Sequence, residues 1–143
     1  IETQYDKMKP RIICEEYIET KSGLLPNDYK IYCFNGEPQL TLVCTERSEN
    51  VKLDFMDLDW NTMDIGADGW ESGNLPEKPI CYDEMLEICR VLSKPFAFVR
   101  IDFYDFNGKP ILGEMTFTPA GCAARYYNDK GLKLLGDMIK LPG

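Results

Sequence analysis

The stretch VRIDFYDFNGKPILGEMTFTPAG, residues 99–121, sets two carboxylates, Asp102 and Glu114, into apolar alternations that read as β-strands on either side of an Asn-Gly turn. An ionised carboxylate in a half-buried strand is costly unless a cation or a metal compensates it. With period-two alternation, Arg100, Asp102 and Tyr104 share one face of the first strand, and Glu114, Thr116 and Thr118 share one face of the second. A two-residue loop at Asn107 and Gly108 would set Asp102 against Gly113 and split the apolar residues between faces. An odd loop of Phe106, Asn107 and Gly108, with Gly108 left-handed, aligns them. The pattern therefore predicts the odd loop, with Arg100 opposite Glu114 and Asp102 on the diagonal, roughly 7 Å away. Two carboxylates on one face can share a Mg²⁺, which takes oxygen ligands at about 2.0–2.1 Å. The plainer reading is an ion pair centred on Arg100 on an exposed sheet face.

The sequence contains no histidine, which removes Ser-His and Cys-His nucleophile pairs and His-ligated zinc. Carboxylates, Lys, Arg, Tyr and Cys are left, a set suited to positioning phosphate with cations and metals. A net charge of −8, from 24 acidic against 16 basic residues, and the lack of a basic, aromatic-rich cluster exclude nucleic acid as the expected partner. No apolar run reaches the roughly 18 residues of a membrane span. Cys14, Cys33, Cys44, Cys81, Cys89 and Cys122 show no CxxC spacing, and most fall in apolar strand or helix patterns. They read as free thiols, and the expected compartment is the reducing cytoplasm. The segment DLDWNTMDIGAD, residues 57–68, spaces its acids like a calcium loop, but Thr62 stands where the sharp turn needs Gly and no helix frames it. It reads as a solvated acidic loop packed down by Trp60 and Trp70, or as a loop that recognises an acceptor.

These residues need elements to hold them, and 143 residues suffice for one domain. The alternation predicts a strand at RIICEEYI, residues 11–18, then the pair YKIYCF and PQLTLVCTER joined by Asn35-Gly36, then a short strand VKLDFM. A long excursion follows, residues 57–79. CYDEMLEICRVLSK has helical spacing, with Asp83 as its cap and Pro95 as its stop; the 99–117 hairpin follows, and NDKGLKLLGDMIKL closes as a second helix. This order predicts an α+β fold, an antiparallel sheet with helices on one face. The start IETQYDKMKP has neither an initiator Met nor a signal-peptide layout, so a segment of a longer protein is expected.

RIDF followed by GEMTFTPAG resembles the Asp and Glu-x-Asn metal-binding end of the ATP-grasp fold. Together with CEEYIE, NDYKIYCFNGEP and LKLLGDMIKLP, most of the chain resembles the TupA-like ATP-grasp family, named for teichuronopeptide biosynthesis. The resemblance implies a C-terminal ATP-grasp subdomain: residues 1–143 as a single partial domain, the nucleotide- and metal-binding half of the fold. It implies ATP and Mg²⁺ as cofactors, with Asp102 and Glu114 on the metal and Thr116 where many ATP-grasp enzymes have Asn. It further implies that Glu15 meets the adenine amino group and that the backbone of Glu16 and Ile18 reads the adenine edge. Asp28 would hold the ribose hydroxyls, and Lys30, Arg47 and Arg100 would face the phosphates or the acceptor. The implied activity is a carboxylate–amine ligase, or a similar enzyme, of surface polysaccharide or teichuronopeptide synthesis. Its implied partners are ATP, a carboxylate-bearing small molecule or polymer, and the rest of the parent chain, which would supply the Gly-rich flap. Without that flap the fragment alone is expected to be inactive, with an apolar sheet face left for self-association. Two other readings stay open: a polysaccharide-synthesis transferase labelled a glycosyltransferase, and a degenerate, non-catalytic interaction domain.

Overall fold

The computed structural model describes residues 6–18, 20, 25–47 and 50–140. Strands β1 (Asp28–Phe34), β2 (Glu37–Thr45) and β3 (Lys52–Met56) precede helix α1 (Tyr82–Ser93); strands β4 (Phe98–Phe106) and β5 (Lys109–Thr116) precede helix α2 (Asp129–Met138). The five strands form one antiparallel sheet in the order β3-β2-β1-β4-β5. The α+β reading with an antiparallel sheet holds. β1 and β4, the central pair around which the site is built, come from hairpins turned by the same dipeptide. Asn35 and Gly36 have φ of 52° and 86°, and Asn107 and Gly108 have 56° and 75°, the paired left-handed conformations of a tight hairpin turn whose twist matches the strands.

The odd loop predicted at Asn107 is not what forms: Phe106 pairs directly with Lys109 across a two-residue turn. The phase is corrected further along, by a β-bulge. Phe103 pairs with Leu112 and Asp102 with Glu114, so Gly113 is the extra residue. Asp102 and Glu114 consequently lie directly opposite and on one face, as the apolar phases require, while Arg100 faces Thr116 rather than Glu114. Glycine fits the bulge because a Cβ at position 113 would stand 3.1 Å from the Tyr104 ring and 3.4 Å from the Asp102 carbonyl oxygen.

Each sheet face carries its own core. On one, Tyr29, Ile31, Cys33, Val99, Ile101 and Phe103 pack against Met85, Leu86 and Cys89 of α1. On the other, Tyr32, Phe34, Leu40, Leu42, Cys44 and Phe55 meet Leu134, Leu135 and Met138 of α2. α2 thus lies across the sheet from α1 and not beside it, with Asn128 capping its start by accepting from the Gly131 N–H at 2.8 Å. Asp83 lies in the first turn of α1, where its charge suits the helix dipole, but it does not cap the helix: Cys81 holds that position without a side-chain bond.

The acidic excursion is folded down by Trp60, whose buried indole donates to the Pro76 carbonyl at 2.8 Å and stacks edge-on against Tyr82. Trp70 is more exposed and meets Tyr126. Cys33, Cys44, Cys81 and Cys89 are buried and Cys14 and Cys122 exposed, all six as free thiols.

The strand expected at residues 11–18 does not form. Residues 9–18 join no ladder, and Ile12 and Ile13 are fully or largely exposed, so their apolar alternation has no facing strand to pair with among the described residues.

Candidate functional site

Alternation on β1 puts Asp28, Lys30 and Tyr32 on one face, and the β1–β4 register sets Lys30 against Asp102 and Tyr32 against Arg100. A chain of charges follows from these pairings. The Lys30 ammonium lies 2.6 Å from Asp28 Oδ2 and 2.5 Å from Asp102 Oδ2. Arg100 donates from Nε to Asp102 Oδ1 and from Nη2 to Asp102 Oδ2, both at 2.8 Å, the two-pronged geometry that suits guanidinium and carboxylate. The same Nη2 reaches Thr116 Oγ1 at 3.3 Å and Glu114 Oε2 at 3.9 Å. At the other end Arg47 donates to the Pro26 carbonyl at 3.3 Å, lies 3.7 Å from Asp28 Oδ2, and sits over the Tyr104 ring at 5.5 Å.

Burial divides the carboxylates. Asp28 and Asp102 are 4% and 3% exposed, whereas the Glu114 side chain is 63% exposed. Asp102 is matched by two cations; Asp28 is less well matched. Its Oδ1 is buried and accepts no hydrogen bond, and burial holds its carboxyl above the ordinary value against the pull of Lys30. For Lys30 burial works downward, but Asp102 and Asp28 outweigh it and the ammonium is held above its ordinary value. Arg100 is likewise pushed up, Asp102 overcoming the burial that opposes it. Lys30 and Arg100 thus stay cationic although little of either side chain is exposed.

The same face continues past the charges. Tyr104, Phe106 and Ile111 form one wall of a concavity of about 400 Å³ whose other wall is Glu15, Glu16, Tyr17 and Ile18. All three residues expected at the adenine therefore gather on the face that carries Asp28, Lys30, Asp102 and Glu114, although they come from irregular chain and not from a strand. Sequence reasoning did not single out Tyr104, Phe106 or Ile111. Their signal was the alternation that already carried Asp102, since Tyr104 and Phe106 are the next two residues on its face.

The model of the family described as TupA-like ATPgrasp matches residues 1–140. The chain belongs to that family. Membership makes it an ATP-grasp-type protein and implies ATP binding. Comparison with curated proteins and with solved structures gives no significant match.

The donors of this TupA-like ATP-grasp protein can be tested against the groups the family implies. Asp28 Oδ1 is a buried acceptor without a donor, which suits a hydroxyl. No group of three or more Asp, Glu or Cys side chains among the described residues could hold a metal unaided. Mg²⁺ bound with nucleotide needs only one or two carboxylates, because phosphate oxygens and water complete its shell, and the facing pair Asp102 and Glu114 meets that requirement. The Thr116 hydroxyl already accepts from Arg100, so it serves that side chain first. Among the described residues no helix is long and apolar enough to cross a membrane.

Proposed function

We propose that this face is the nucleotide and metal wall of an ATP-dependent carboxylate–amine ligase, or a ligase of similar chemistry, and that the lid of the clamp comes from the rest of the parent chain. One observation carries the reading: adenine-side residues, a carboxylate with an unpaired oxygen, a half-buried lysine, a buried arginine and a facing pair of carboxylates lie in series on one face of β1, β4 and β5. Glu15, Glu16 and Ile18 bind the base, and Asp28 accepts from the ribose. Lys30, Arg47 and Arg100 hold phosphoryl oxygens and their growing charge. Asp102 and Glu114 hold Mg²⁺, which when bound neutralises phosphate charge, and Thr116 steadies Arg100. In the reaction an acceptor carboxylate oxygen attacks the γ-phosphorus, and the bond from that phosphorus to the ADP oxygen breaks, its electron pair leaving with ADP. An amine then attacks the acyl carbon, loses a proton and expels inorganic phosphate. The enzyme serves the synthesis of a surface polysaccharide or of its peptide-like substituents, such as those of teichuronopeptide, and its six free thiols suit a reducing cytoplasm.

The closed charge network favours a second reading, a non-catalytic ATP-grasp-like interaction domain, because both Asp102 oxygens already accept from Arg100 and Lys30. Turnover separates the two. The parent protein with MgATP and a mixture of carboxylates and amines should release ADP, and Glu114→Gln should cut the rate at least a hundredfold while leaving the thermal midpoint in place. A Glu114→Gln protein as active as the wild type would overturn the metal assignment, and no ADP release from the wild type would favour the interaction domain.

A further inference from the structure

Along β4 the residues of the site face succeed one another in three zones. Phe106 and Tyr104 border the adenine-side concavity, Asp102 and Arg100 form the charged centre, and Phe98 opens onto a second cavity of about 430 Å³. That cavity begins one alternation beyond Arg100, roughly 7 Å along the strand, and Tyr32, the cross-strand partner of Arg100, is part of its wall. Phe98 lines it from the sheet, Phe117 from the chain just past β5, and Tyr127, Leu135 and Ile139 from the side of α2. Its lining contains no charged residue. Its polar handle is the pair of hydroxyls of Tyr32 and Tyr127, 2.6 Å apart, and burial pushes both phenols far above their ordinary value, so they stay protonated. Its volume falls in the range of small-molecule sites, roughly 300–1,000 Å³, and its character, mostly apolar with a few placed polar groups, matches them too.

We propose that this cavity is the acceptor subsite, and that the acceptor is a carboxylate with an apolar body, aromatic or branched aliphatic. Its carboxylate lies at Arg100, and its body is held between Phe98, Phe117 and the residues of α2. The inference rests on the ATP reading above for its direction: with the base at the Phe106 end, the phosphates run toward Arg100, and an acceptor in line with them enters from the Phe98 end. A polyhydroxylated sugar acid fits poorly, because the hydroxyls among the lining side chains are those of Tyr32 and Tyr127, already bonded to each other, and burying hydroxyl groups unpaired is costly.

The test uses 3-phenylpropanoate and D-glucuronate as probes, titrated into the protein with binding followed by NMR, and the magnesium complex of a non-hydrolysable ATP analogue titrated separately. We expect 3-phenylpropanoate to bind at least tenfold more tightly than glucuronate. Leu132→Glu places a carboxylate at the cavity rim from a side chain already 53% exposed, and Ile139→Glu does so from a second position. Each should weaken 3-phenylpropanoate at least tenfold without lowering the thermal midpoint. Equal binding of the two probes, or binding of 3-phenylpropanoate indifferent to both variants, would overturn the proposal. So would light scattering that shows a self-associated protein which Leu132→Glu dissociates, since a second copy would then fill the cavity. Failure of the nucleotide titration, with the probes behaving as expected, would instead overturn the ATP reading and leave an apolar carboxylate site standing.

Discussion

Replacing Asp102 by Asn keeps the shape of the side chain and removes its charge, and the structure lets the cost be worked out. The carboxylate accepts from Lys30 Nζ, Arg100 Nε and Arg100 Nη2 at a position 3% exposed. The Asn amide keeps one acceptor oxygen and turns a donor toward one of the two cations, so at least one charge-assisted bond is lost outright, each worth about 1.5–3 kcal/mol. The cations left behind are themselves nearly buried, their side chains 16% and 9% exposed, and uncompensated buried charge brings the total to about 3–5 kcal/mol. For a domain near this size that is a fall in melting temperature of about 10 °C or more. Glu114→Gln is the matched control: its side chain lies in water and its one cation contact is at 3.9 Å, so it should cost under about 0.5 kcal/mol. Thermal unfolding followed by circular dichroism, on both variants and the wild type, decides the matter. A shift for Asp102→Asn under about 2 °C, or equal shifts for the two variants, would refute the claim that Asp102 is the buried centre of the network and Glu114 its free, solvent-facing member.

Three further outcomes follow from single features. Gly131→Ala should destabilise by about 2 kcal/mol or more, against the usual gain for Ala in a helix, because a Cβ there would stand 2.3 Å from the backbone oxygen of Ile65; Gly136→Ala in the same helix, with nothing within 4 Å, should stabilise by up to about 1 kcal/mol, and urea titration of both checks the contrast. A thiol reagent at pH 8 should modify Cys14 and Cys122 quickly and the other four cysteines only on unfolding, since those four are buried and burial pushes Cys44 up to about 12 and Cys81 up to about 11; more than two fast thiols in the folded protein would contradict this. The Lys30 proton is bound more tightly in the folded than in the unfolded chain, so its stabilisation is complete below its ordinary value of 10.5 and is lost as pH rises through the higher folded value. The stability difference between wild type and Lys30→Met should therefore shrink as pH rises above about 10.5, and a difference independent of pH would remove the claim.

Much of this architecture was legible because local signals and burial agree. Two Asn-Gly dipeptides between alternating strands define both hairpins, and the 85, 86, 89 and 92 spacing defines α1. The common face of Asp102 and Glu114 was legible too, though its cause was misplaced: apolar phase demands one extra residue in the hairpin, and phase alone cannot say whether that residue sits in the turn or in a bulge at Gly113. The strand at residues 11–18 was misread because alternation states that a segment could pair, and pairing requires a neighbour that sequence pattern does not supply. The placement of Lys30 between two carboxylates was hidden for a related reason. A lysine in a strand reads as solvated until the register of β1 against β4 is known, and that register joins residues 72 positions apart.

Amide-resolved NMR, in which weak binding remains visible, shows whether the face of β1, β4 and β5 bearing Lys30, Arg100, Asp102 and Glu114 binds the magnesium complex of ATP. Titration with a non-hydrolysable ATP analogue and Mg²⁺ should shift the amides of residues 15–18, Lys30, Arg100, Asp102, Tyr104 and Glu114, in a manner that depends on Mg²⁺ and fades in Glu114→Gln, while α1 across the sheet stays still. Shifts centred on α1, or no shift at millimolar nucleotide, would remove this face as the nucleotide site.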